Sequence, residues 1–180
     1  MSILLVGLVE HRVPDYNDEP AVLARLAPTV PVLLGVAEFL SAYLPEYKVI
    51  ERGWTTVHDH TYFAYHGPAG FSVVFGKYVA VIRGNCRHSA FATMRDLQAA
   101  YLPAFRNVAG ALGGTRMALM SDQNDAIQDA AIYTGASLDE CLAMAAKSWG
   151  PARRKVAVIG ASMKAYNARK APVWYLETVL

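Results

Sequence analysis

The sequence predicts an α+β fold: a mixed sheet that contains an antiparallel meander at about residues 55–83, with helices packed on it. Three observations carry this expectation. Apolar runs of strand length, such as Ile3–Val9, are separated by segments whose apolar residues recur at helical spacing. Between Trp54 and His88 three strand-like runs follow one another with only turns between them, which argues against a purely parallel sheet. Of the 180 residues, 54 % are hydrophobic and 18 % charged, so either the core is unusually well covered or apolar surface is hidden against a partner or a second copy. One domain spanning residues 1–180 is the simplest organisation.

Ile3–Val9 is apolar throughout and suits a central strand covered on both faces; Glu10-His11-Arg12 follows at once, which is not how a secretion signal reads. Asp18 can cap a short helix over Ala21–Ala27, with Pro20 in its first turn. Thr29 can cap the next, Pro31–Leu44, which Pro45 ends. Tyr47–Arg52 reads as a further strand. Thr55–His66 alternates as one strand, followed by Gly67–Gly70 turn chemistry, the run Phe71–Phe75, a two-residue Gly76-Lys77 hairpin loop of type II′, and the return Tyr78–Arg83.

Ser89 can cap a long helix in which Phe91, Met94, Leu97, Tyr101, Phe105 and Val108 follow a helical period, kinked or split by Pro103. Thr115–Met120 is a strand. A helix over Ala126–Thr134 stops at Gly135, and Ser137 with Glu140 forms a capping box for the next, which runs to about Ser148. Lys155–Ile159 and Val173–Val179 are closing strands. No apolar run reaches the length of a membrane span, and two cysteines are too few for a disulfide scaffold, so the expectation is a cytoplasmic protein.

Charge falls in blocks. Residues 1–51 carry three basic and seven acidic groups, 52–120 seven and two, 121–146 none and five, and 147–180 seven and one. This is the pattern of separate acidic and basic patches, or of blocks that folding mixes, and not the uniform basicity of a nucleic-acid binder. The basic tail from Arg153 to Lys170, with Tyr166, Trp174 and Tyr175, reads as a solvated rim.

Four of the five histidines lie between Trp54 and His88. On one regular strand His58 and His60 share a face, about 7 Å apart at the backbone, and His66 joins them there. Neutral imidazoles so placed could hold zinc or iron and activate a bound water. The other reading puts them on a surface or interface strand. Cys86 and His88, two apart on an extended segment, could form a thiolate–imidazole pair, with packing as the plainer role. Gly110–Gly114 follows a helix and Val158–Ser162 lacks the later glycines, so neither is a phosphate loop.

No catalytic constellation is complete, and aromatics are many. The preferred expectation is a non-enzymatic protein-binding protein, such as an immunity-type inhibitor of a bacterial toxin or a subunit of a larger assembly, binding another protein or itself. The alternative is a metal-dependent hydrolase or oxygenase using His58, His60 and His66.

Overall fold

A computed structural model describes residues 4–44, 46–48, 51–58, 63–123, 125–154, 156 and 174–178. The sheet has seven strands: β1 (Leu4–Glu10), β2 (Thr55–His58), β3 (Phe63–His66), β4 (Ser72–Phe75), β5 (Val79–Arg87), β6 (Arg116–Ser121) and β7 (Tyr175–Thr178). Their order is β2-β3-β4-β5-β1-β6-β7, and every ladder between them is antiparallel. An isolated parallel bridge joins Arg153 to Tyr175. The fold is α+β as the sequence predicts, but the seven strands pair antiparallel and do not form the expected mixed sheet.

The central place of β1 follows from its composition. Leu5 and Val9 enter one core cluster and Val6 and Leu8 the other, so both faces must be covered. Helices α1 (Glu19–Leu26), α2 (Val30–Tyr43), α3 (His88–Thr93) and α4 (Arg95–Ala111) cover the first face, where Leu33, Phe91, Phe105 and Tyr101 pack on Ile82 and Leu119. On the second, α5 (Asp125–Asp129) and α6 (Leu138–Trp149) bring Ile127, Leu138 and Cys141 onto Val81 and Met120. Two buried faces account for much of the high apolar content.

Several local expectations hold. Asp18 caps α1 by accepting from the Ala21 amide at 3.2 Å. The box at α6 is complete: the Ser137 amide donates to Glu140 Oε2 at 2.7 Å and the Glu140 amide to Ser137 Oγ at 3.3 Å. Gly135 takes the left-handed conformation that ends the preceding helix (φ 70°).

Others are corrected. Thr29 makes no cap bond to α2; its hydroxyl donates to the Leu26 carbonyl and accepts from the buried Trp54 indole at 2.9 Å. The described residues of Tyr47–Arg52 form no strand. The long helix breaks at Met94, which is extended (φ −113°, ψ 117°), while Pro103 stays inside α4. Pro103 lies on the exposed side, where the carbonyl it deprives of a partner can turn to water. After α5 the chain runs through a π-turn, Ala130–Thr134, before Gly135. Of the expected strand Lys155–Ile159 only Val156 is among the described residues, and Gly160-Ala161-Ser162 lies outside them.

The run Glu19–Tyr43, continuous through a 3-10 turn at Ala27–Thr29, is long and apolar enough to cross a membrane by length and composition, with a mean hydropathy of 1.6 in its most apolar window. Counting uninterrupted apolar residues missed it, because Pro28 and Pro31 do not end the helical run. Here its buried residues Val22, Leu26, Leu33 and Leu40 pack in the core.

Candidate functional site

The expected histidine face does not form as one strand. The chain reverses between β2 and β3, pairing His58 with Phe63 and Thr55 with His66. Directly paired residues share a face and residues three apart on a strand do not, so His58 and His66 point to opposite sides of the sheet. They cannot both ligate one ion. His60 lies outside the described residues. The His58 ring instead lies 4.6 Å from the Phe63 ring, and its Nε2 is 2.9 Å from Glu19 Oε1 on α1. Among the described residues no group of three or more His, Cys, Asp or Glu side chains is placed to hold a metal.

The cysteine reading also changes. Cys86 and His88 are both buried, and burial pushes the Cys86 thiol up to about 12, against a weaker opposing hydrogen bond from the Phe91 backbone. A thiol in that state is packing material and not a nucleophile. Cys141 is raised to about 11, again chiefly by burial. The charge blocks meet in part: Arg116 pairs with Asp139, and Arg106 with the buried Glu177 at 2.6 Å. Glu177 also accepts from the Val156 amide at 2.7 Å, which makes it a structural clamp between α4, β7 and Val156 with no local signal in the chain.

What the structure does assemble lies at the two ends of β5. At the turn end, Gly76–Tyr78 joins β4 to β5, and the Gly76 amide donates to the Val79 carbonyl at 2.9 Å. The type II′ expectation fails, because Gly76 lies outside the positive-φ region. Gly76 is needed for a different reason: a Cβ there would sit 1.9 Å from the Ala131 carbonyl oxygen, so the π-turn rests directly on the hairpin backbone. Tyr133, two residues further along that turn, is 65 % exposed.

Around it stand more aromatic side chains. Tyr16 stacks on Phe75 at 5.6 Å and 4° between planes, and the Tyr65 hydroxyl donates to the Tyr16 carbonyl at 3.0 Å. His11 Nε2 donates to the Gly76 carbonyl at 2.9 Å while its Nδ1 accepts from the Val13 amide at 3.3 Å. Both ring nitrogens are therefore used by the neutral imidazole. Burial lowers the His11 pKa, and the Gly76 bond opposes that only in part. Tyr16 and Tyr133 both line a cleft of about 140 Å³, with Phe63, Phe75 and Ile132. Tyr78, in the hairpin loop, is exposed as well, with Lys77 Nζ 4.8 Å from its ring centroid. Composition shows that the chain is rich in tyrosine, but which tyrosines face water depends on the π-turn and its seat on Gly76.

At the other end, β5 carries a bulge. Leu4 pairs with Arg87 but Leu5 with Gly84, so the pairing shifts across Asn85 and Cys86. The Tyr101 hydroxyl on α4 donates to the Asn85 carbonyl at 3.0 Å and satisfies it. Asn85, Cys86 and Arg87 then line one cavity of about 390 Å³, walled by Leu40, Tyr43 and Leu44 of the α2 end and by Leu97 and Tyr101 of α4.

No protein-family model, no curated protein and no solved structure matches the chain.

Proposed function

We propose that this is a non-enzymatic protein-binding protein that docks a partner, another protein or a second copy of itself, on the aromatic face at the turn end of β5. The observation that carries this reading is Tyr133, 65 % exposed on a backbone buttressed by Gly76. A tyrosine side chain brings a large contact area with few torsions to freeze on burial, and it is a preferred interface anchor for that reason. Tyr16 beside it offers a cleft for one apolar side chain of the partner. An inhibitor of the immunity type or an assembly subunit would work through such a face. A cytoplasmic site of action, with no membrane and no nucleic acid as partner, belongs to the same proposal. Burial of both cysteines, which keeps them as neutral thiols, is consistent with binding in place of catalysis.

The test compares wild type with Tyr133→Asp and Tyr78→Asp, by light scattering for self-association and by capture from an extract of the source cells. The captured protein is then purified and the complex rebuilt. The reading predicts a complex or dimer that wild type forms and both folded variants lose. Complexes that survive both substitutions, or wild type that forms none, would overturn it.

A further inference from the structure

The cavity at the bulge end of β5 is separate from the aromatic face, about 25 Å away along the strand. Along the bulge Cys86 is buried while Asn85 and Arg87 are exposed, and all three border the one hollow. The bulge opposite Leu4 shifts the pairing with β1 at this point, and Tyr101 holds it by binding the Asn85 carbonyl. Bulges of this kind re-aim side chains, often beside binding sites.

The chemistry of the walls is uneven. Its deep part is apolar: Leu40, Leu97 and Ala90, the Tyr101 ring, and the Cys86 thiol, which behaves as a small hydrophobe. The Tyr101 hydroxyl is already spent on Asn85. Arg87, exposed, is the one charged side chain of the lining, no acidic group joins it, and among the described residues it makes no ion pair. The volume of about 390 Å³ is within the range of small-molecule sites.

We propose that this cavity binds a small amphipathic carboxylate, its aliphatic or aromatic body seated between α2 and α4 and its carboxylate paired with Arg87. The guanidinium fork matches a carboxylate in two parallel hydrogen bonds, and the walls behind it offer apolar contact.

Titration calorimetry of the full chain with decanoate, and separately with decanol, tests this. Decanoate is expected to bind at one equivalent, at least tenfold more tightly than decanol. Arg87→Gln, at an exposed position, is expected to bring decanoate down to the decanol affinity and leave decanol unchanged. Ala90→Phe, which fills the cavity, is expected to abolish both, with circular dichroism to check its fold; Leu97→Trp serves if that variant does not fold. Binding of decanoate no tighter than decanol, indifference to Arg87→Gln, or no heat at millimolar decanoate would overturn the proposal.

Discussion

The two ends of β5 use the same kind of residue in opposite ways. At the turn end, Tyr78 and Tyr133 stand out in water on a backbone packed so tightly that a methyl group on Gly76 has no room. At the bulge end, Tyr101 and Cys86 are drawn inward, and the space between α2, β5 and α4 is left open as a cavity. One end is a rigid outward surface and the other a concave one. The difference comes from the backbone: a close glycine contact at one end, an irregular register at the other. Aromatic content alone would not distinguish them.

The largest effect is expected where the turn end is tightest. Gly76→Ala forces the Ala131 carbonyl away and should cost about 3 kcal/mol, as overpacking does, whereas Gly35→Ala, with nothing within 4 Å of the new Cβ, should be neutral or stabilise by up to about 1 kcal/mol. Urea denaturation of both variants measures this contrast; equal midpoints would mean that the π-turn is not seated on the hairpin. Next is the bulge end. Tyr101→Phe leaves the Asn85 carbonyl without its donor and should cost about 1 kcal/mol in the same experiment, with loss of decanoate binding as the bulge relaxes. A variant as stable as wild type would show that Tyr101 does not hold the bulge.

His11 ties the turn end to pH. Its folded pKa is lowered below the ordinary 6.5 by burial. The unfolded chain therefore binds the proton more readily, and stability is lost as pH falls from 6.5 through the folded value. Wild type should show this loss between pH 7 and pH 5, and His11→Gln should flatten it; identical pH profiles would remove His11 from the account. The smallest effect on stability is expected at the exposed ring: Tyr133→Ala should stay within about 0.5 kcal/mol of wild type while weakening partner binding. A larger loss would make Tyr133 a structural residue.

The parts of the fold set by local chemistry were legible in the sequence. Leu5 to Val9 read as a strand buried on both sides, and Ser137 with Glu140 as a helix start, because each is decided by neighbours in sequence. The site was less legible. The pattern from Thr55 to His66 keeps its alternation through the reversal between His58 and Phe63, so a strand-long histidine face could be read where two strands meet. The bulge at Asn85 and Cys86 is a mismatch with β1, eighty residues away in the chain, and carries no local mark. The seat of the π-turn on Gly76 is likewise a contact between distant segments; the glycine was visible, but its reason was not.

The most direct measurement is site-specific photocrosslinking in the source cells, with a photoreactive phenylalanine in place of Tyr133 or, as a control, of exposed Ala99 on α4. The account predicts one discrete adduct from position 133, none from 99, and loss of the adduct when Tyr78→Asp is added. No adduct at 133, or the same adduct from both positions, would contradict the claim that the aromatic face is where this protein meets its partner.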